Sequence, residues 1–364
     1  MSQRIGALSQ PARPQEAARL DQACAPCEIH ARSCERAVTP EEYPLRNGER
    51  ATRAGELEVQ MITSAPLSQQ PQREHTEQPG AGPSLPAISR IAVPLDGSQL
   101  AERVLAIAVA LARAFRAELL LVRAYGPPHG FPLGSSGRIG AHAPRYVSMT
   151  EASLHLARIA SELRNCGVRV ATRLLPRHAD DAILEGAANT PADLILLAVE
   201  PHVRWGRVSS LGRVADRVVR QSHVPVLLTT SLNGAQVLCA GRVPLRVLVP
   251  LGPTMAGGRA LPYARAFAEA LHGHVTVVRQ SDPSAAISSK LPEHDAVPTG
   301  RWETDTCLLI AETSEKFLAA ISGLAGDLIV WGRPETAVQA DDVRWIHSAT
   351  TLLCVGHRPV LMVP

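Results

Sequence analysis

The chain has 364 residues, of which 45% are hydrophobic and only 3% aromatic. This length provides enough apolar residues for two domains with a core each. A formal net charge of +3, with no basic stripe interleaved with aromatic residues, gives no indication of a nucleic-acid partner. No apolar run approaches the ~18 residues of a membrane helix, and the first residues show no secretory leader. The seven scattered cysteines do not form a complete disulfide framework, so we expect a cytoplasmic protein.

Residues 1–88 differ in composition from the rest of the chain. They are rich in Pro, Gln, Glu, Arg and Ser, and 69–86 has the composition of a linker. Such a segment buries too little apolar surface to offset the entropy lost on folding. The composition therefore predicts a disordered tail and linker.

Four soft ligands lie close together within this tail: Cys24, Cys27, His30 and Cys34. Such a set has the ligand types to hold zinc tetrahedrally, but the spacing matches no familiar zinc module and no apolar cluster surrounds it. Of the two interpretations, a metal site or a redox-sensitive tail, we favour the second and predict no metal.

From residue 89 onward, short apolar strands alternate with amphipathic helices. The first unit predicts strands at 90–95, 118–125, 168–175, 193–199 and 224–230, with helices between them. Such alternation implies a right-handed, doubly wound parallel sheet. The strands are continuously apolar rather than alternating, which fits a sheet covered on both faces.

Matched sequence blocks recur along the chain in the same order. The blocks at 93–95, 122–123, 193–195 and 223–227 recur at 249–251, 278–279, 327–329 and 357–361. Such ordered recurrence indicates a tandem duplication. The second copy is shorter, and its segment 281–300 lacks helical periodicity, so we predict that it has lost its second helix.

The repeat defines the predicted domain organisation. After the tail at 1–88 we expect a first domain at 89–231, a linker at 232–243 and a second, trimmed domain at 244–364. The predicted fold class is α/β, with two doubly wound parallel sheets of five strands in tandem.

The blocks resemble the universal stress protein family. The start Val-Pro-Leu-Asp-Gly-Ser at 93–98, the Asp-Leu-Ile strand at 193–195 and the final Pro-Val-Leu at 225–227 carry the resemblance. It implies a Rossmann-like fold of the adenine-nucleotide α-hydrolase type and a role in stress response. Nucleotide-binding members have a loop of pattern G-x2-G-x9-G-[ST] after strand four, because glycines let backbone N–H groups approach phosphates.

Three positions of this resemblance are the candidate cofactor-binding residues. Asp96 follows strand one, where the family contacts the nucleoside; Gly212 is the third loop glycine; and Arg213 stands at the hydroxyl position. For Asp96 the alternative is a helix N-cap. For Arg213, together with Arg204 and Arg207, the alternatives are anion binding by charge and a solvated loop.

The rest of the family's loop pattern is lost in both copies. Val199 and His202 occupy the first two glycine positions of the first copy, with Glu200 and Pro201 between them, and Ser209 or Ser210 is expected to cap the last helix. A carboxylate repels phosphate, and proline removes an N–H donor. In the second copy the corresponding positions read Gly252-Pro253 at the first strand end and Ile346-His347 at the loop end.

We therefore predict a stress-response binding or scaffold protein with a degenerate nucleotide site and no bound cofactor. A nucleotide-binding sensor with a variant pocket is the alternative, with ATP or another adenine nucleotide as its ligand. An enzyme of a related nucleotide-binding superfamily is the third hypothesis, but no Ser-His-Asp order, paired carboxylates or phosphate-binding GxxxxGK[ST] motif is present.

The two copies are expected to pack on each other as an intramolecular pseudo-dimer. In the family, strand five often lies at a sheet edge and pairs with strand five of a partner, and both copies keep it, at 224–230 and 359–363. Tethering two apolar edges raises their effective concentration. A monomer, or a homodimer through another face, is expected.

Overall fold

The computed structural model describes residues 85–126, 147–200, 202–204, 207–230, 238, 245–251, 257–281, 304–310, 313–333, 339–356 and 358–364. The predicted tail, except for its last four residues, and the cluster from Cys24 to Cys34 lie outside this part of the chain. Residues 282–303, which include most of the predicted site of the lost helix, lie outside it as well.

The first half contains seven strands and five helices among the described residues. They are β1 (Arg90–Pro94), α1 (Gln99–Arg103), α2 (Leu105–Phe115), β2 (Glu118–Ala124), α3 (Met149–Asn165), β3 (Val170–Leu175), α4 (Ala179–Asn189), β4 (Leu194–Ala198), β5 (His202–Arg204), β6 (Arg207–Ser210), α5 (Arg213–Gln221) and β7 (Val226–Thr229).

In the second half the elements also alternate. They are β8 (Arg246–Leu251), α6 (Gly257–Ala270), β9 (His274–Ser281), β10 (Thr304–Ile310), α7 (Ser314–Gly323), β11 (Leu328–Gly332), α8 (Gln339–Gly356) and β12 (Val360–Val363).

Helix α3 illustrates how the sequence directs these elements. The Ser148 hydroxyl accepts the Glu151 N–H at 3.1 Å and begins the helix. Leu156, Ile159 and Leu163 recur at helical spacing and are buried, whereas Leu154 points outward and is 68% exposed. The helix packs this apolar stripe on β2 and β3.

The strands form a mostly parallel sheet in which the halves have the same internal order. From one edge to the other the order is β10-β9-β8-β11-β12-β7-β4-β1-β2-β3. In each half the first strand lies between the second and the fourth, and the fifth lies next to the fourth. The predicted α/β class with a doubly wound parallel sheet is confirmed.

The two halves are joined by hydrogen bonds between β7 and β12. These strands are antiparallel, with Val226 opposite Met362, Leu227 opposite Leu361 and Leu228 opposite Val360. The prediction of two separate five-stranded sheets is therefore wrong, because this pairing makes one ten-stranded sheet. Edge strands expose unpaired N–H and C=O groups, and the two edges satisfy each other here.

Helices meet across this seam on both faces of the sheet. On one face Phe115 of α2 and Phe267 of α6 stack edge to face, with ring centroids 5.1 Å apart. On the other face α5 lies against α8. The buried side chains of α4, α5, α7 and α8 form one apolar cluster, so the core continues from one half into the other.

A double-mutant cycle across the seam tests this pairing. Leu227 and Leu361 are fully buried and directly opposite, so Leu227→Ala and Leu361→Ala remove side chains that contact each other. We expect a coupling free energy of at least about 0.5 kcal/mol in the free energy of urea unfolding. Leu227→Ala combined with Leu121→Ala on β2 is the control and should be additive. Additivity in both pairs would show that the seam is absent.

Candidate functional site

A cavity of about 510 Å³ opens at the carboxyl ends of β1, β2 and β4. Ligands of parallel α/β sheets bind at this edge, and the volume lies in the usual range for small-molecule pockets. Its floor is apolar, with Leu95, Val122 and Leu197 among the lining residues, and the first turns of α4 and α5 complete the wall.

The three candidate residues from the sequence all line this cavity: Asp96, Gly212 and Arg213. The carboxylate of exposed Asp96 accepts the Ser98 N–H at 2.8 Å. The Ser98 hydroxyl in turn accepts the Ala101 N–H at 3.1 Å and caps α1. The alternative reading of Asp96 as the helix N-cap is therefore wrong, because its side chain closes the turn before the cap.

Gly97, between these two residues, has a backbone that disfavours other amino acids. Its φ is +84°, in the left-handed region, and an added Cβ would lie 2.9 Å from the guanidinium of buried Arg123. The Asp-Gly-Ser turn is thus fixed by sterics as well as by hydrogen bonds, and it holds Asp96 at the cavity.

Gly212 is the N-cap of α5, with φ +95° and no side-chain cap. The expectation that Ser209 or Ser210 caps this helix is wrong, since both lie in strand β6. Arg213, the first residue of α5, is exposed at the cavity. The start of α5 thus faces the cavity, as a helix start does in a phosphate site. Its first side chain, however, is the guanidinium of Arg213 instead of a hydroxyl group.

The segment between β4 and α5 forms a hairpin instead of a glycine loop. Strands β5 and β6 pair antiparallel as a separate two-stranded sheet, with Arg204 opposite Arg207 and an irregular register after His202. At the first glycine position, the Val199 N–H donates to the Thr229 carbonyl at 2.8 Å. Of the residues at the two lost glycine positions, Val199 is therefore hydrogen-bonded to β7 and His202 lies within β5.

Comparison with known proteins shows which family the first half of the chain matches. The sequence profile of the universal stress protein family matches residues 87–230. Residues 87–230 therefore form a universal stress protein domain. Universal stress protein MJ0531 of Methanocaldococcus jannaschii is 28% identical over 141 residues, which are 38% of this chain and 80% of the relative.

Solved structures support the fold over a longer span. A universal stress protein from Archaeoglobus fulgidus superposes with a TM-score of 0.55 and 14% identity, covering 75% of this chain and 97% of its own. The functionally unknown protein PA1789 from Pseudomonas aeruginosa has a TM-score of 0.56 and 16% identity, covering 76% and 92%. At these identities the likeness concerns the fold alone.

The second half departs further from the universal stress protein pattern. Ile346 and His347, which align with the end of the phosphate loop, lie in the interior of α8. Helix α8 begins at Gln339, so residues that correspond to a loop elsewhere in the family are helical here. Gly252 and Pro253 lie outside the described residues. Because Ile346 and His347 lie within α8, no helix begins at these two positions, unlike at Gly212 and Arg213 in the first half.

An ion-pair cluster that the sequence analysis missed holds the two helices at the cavity. Arg217 of α5 donates to the Asp180 carboxylate at 2.6 Å and to the Asp181 carboxylate at 2.7 Å, both in the first turn of α4. Asp180 is fully buried, and its hydrogen bond raises the pKa of Arg217. Acidic residues such as Asp180 and Asp181 are a sequence signal for a helix start. The sequence gives no signal that Arg217, 37 positions after Asp180, is their partner.

Burial also changes the chemistry of the neighbouring residue Asp216. Desolvation raises the pKa of its carboxyl group, while a hydrogen bond from the Leu211 backbone and the charge of Arg220 act in the opposite direction. Within the described ranges, no group of three or more His, Cys, Asp or Glu residues is arranged to hold a metal. Those ranges also contain no helix long and apolar enough to cross a bilayer.

Breaking the link between α4 and α5 should destabilise the protein more than breaking an exposed ion pair. Arg217→Met leaves the buried Asp180 without its guanidinium, and because Arg217 is itself 39% exposed we expect a loss of about 2 kcal/mol. Arg158→Met, which breaks pairs with Glu102 and Glu162 at the surface, should cost less than about 1 kcal/mol. Urea unfolding measures the free energy of unfolding of both variants. Equal losses would contradict the conclusion that Arg217 links α4 to α5.

Proposed function

We propose that this chain is a universal stress protein that serves as a stress-response binding or scaffold protein in the cytoplasm, that its nucleotide site is degenerate, and that it does not bind ATP tightly. We also infer a role in binding rather than catalysis. The observation that carries the proposal is the β5–β6 hairpin in the place of the phosphate loop.

The hairpin supports the proposal because its backbone amides are engaged. A glycine loop binds phosphates through N–H groups that have no other partner. Here the Val199 N–H donates to β7, and β5 pairs with β6. If two phosphate contacts are missing and each is worth about 1 kcal/mol, the affinity falls about 30-fold.

The charges at the cavity act in the same direction. Glu200 and Asp96 both line it and are exposed, and neither forms an ion pair with a described basic residue. Arg177, at the start of α4, is paired with Glu185 at 3.0 Å. A triphosphate entering the cavity meets these two carboxylates, which oppose the attraction of the Arg213 guanidinium at the same cavity.

We further propose that the chain is a tandem of two domains, 89–231 and 244–364, that arose by duplication and form an intramolecular pseudo-dimer. Identical strand order in the two halves and the β7–β12 pairing support this organisation. Because strand five of each half is used within the chain, any homodimer must form through another face.

A nucleotide-binding stress sensor is the second candidate function. One observation favours it: Asp96, Gly212 and Arg213 line the same cavity, with an anion-favouring helix start between the last two. In this version Asp96 contacts the nucleoside and the Arg213 guanidinium replaces the lost phosphate contacts by charge.

Titration calorimetry of the full chain with ATP distinguishes the two functions. We expect a dissociation constant weaker than about 10 μM, because the phosphate-binding amides are engaged. A tighter value would refute the degenerate site.

Variants then locate any nucleotide binding that is observed. Asp96→Ala and Arg213→Ala should abolish it if the variant pocket is used. Arg103→Ala removes one exposed positive charge outside the cavity and serves as the control for Arg213→Ala. Equal effects of the two arginine variants would exclude a specific role for Arg213.

A further inference from the structure

One helix of the second half lies against the wall of the cavity in the first half. Helix α8 contacts both β6, the second strand of the hairpin, and α5. These two elements flank Leu211 and Gly212, which line the cavity. The wall between the cavity and the second half is therefore supported from outside by α8.

Buried side chains connect the two sides of this wall. Leu211 lines the cavity and is 3% exposed, and it belongs to the same apolar cluster as Trp345 and Ile346 of α8. Because packed interiors contain few voids, displacement of one member of such a cluster is felt by its neighbours. The position of Leu211 thus depends on residues of the second half.

Trp345 has the properties of a packing anchor. It is 3% exposed, its ring lies 5.9 Å from the Arg333 guanidinium, and its indole Nε1 has no hydrogen-bond partner. A buried indole N–H without a partner is unfavourable. The ring is therefore held by packing and by the cation–π contact, and phenylalanine can replace it without the loss of a hydrogen bond.

We propose that α8 braces the β5–β6 hairpin and the start of α5, with Trp345 as the positioning residue, so that the wall of the cavity in the first half is supported by the second half. In the second half, Ile346 and His347, which align with the end of the phosphate loop, lie within α8, and this helix supports the neighbouring site. This role is independent of whether the cavity binds ATP.

The brace couples the cavity to the second half. A ligand that displaces Leu211 or the hairpin must also shift or loosen the packing of α8. By reciprocity, a partner that binds α8 and stabilises it favours the closed wall.

Hydrogen exchange of the full chain, followed by mass spectrometry, tests the brace without any ligand. Trp345→Leu should speed the exchange of amides in 202–216 by about tenfold or more, because the wall loses its support, while β1 and β2 stay protected. Trp345→Phe should restore exchange to within about threefold of wild type.

Trp331→Leu provides the matched control. Trp331 is also fully buried, also lacks a hydrogen bond at Nε1 and belongs to the same apolar cluster, but it lies on β11. It should destabilise the second half without selective exchange at 202–216. If Trp345→Leu does not fold, Ala349→Leu overpacks a buried position one turn further along α8 and should give the same local effect. Equal exchange in the α8 and Trp331 variants, or no change in 202–216, would overturn the proposal.

Discussion

The antiparallel pairing of β7 with β12 is the interaction on which the rest of the structure depends. Each half has an apolar fifth strand at the edge of its five parallel strands, and such an edge cannot stay open to water without inviting association. Because both edges belong to one chain, their meeting costs little entropy compared with association between chains. The pairing turns two sheets into one and brings α2 against α6 and α5 against α8.

This arrangement separates the fold of the family from its phosphate-binding chemistry. The cavity, the Asp-Gly-Ser turn and Gly212 remain in the first half, since strand ends and steric constraints maintain them. The loop that would approach phosphates is paired with itself, and the amide of Val199 bonds to β7. In the second half, Ile346 and His347, which correspond to the end of this loop, lie within α8. Both changes engage backbone hydrogen-bonding groups, and they support the proposal that the nucleotide site is degenerate.

Most of the fold could be predicted from the sequence, because continuous apolar strands and helical periodicity are local signals. The continuity of the sheet could not be derived from either copy alone, since it depends on pairing between distant edges. A signal for the hairpin was overlooked: the sequence has a glycine, Gly206, between Val203 and Val208, which pair across the two strands. The contact of Arg217 with Asp180 joins separate helices, and no local pattern predicts it.

Cross-linking of the seam tests the central claim most directly. Val226 and Met362 are directly opposite in the antiparallel register, whereas Val360 is opposite Leu228. Opposed residues have Cα atoms about 4.5–5.5 Å apart, within the range of a disulfide. Val226→Cys with Met362→Cys should therefore form an intrachain disulfide on mild oxidation, detected by peptide mapping, while Val226→Cys with Val360→Cys should not. Equal cross-linking of both pairs, or cross-links only between chains, would contradict a single sheet built from both halves.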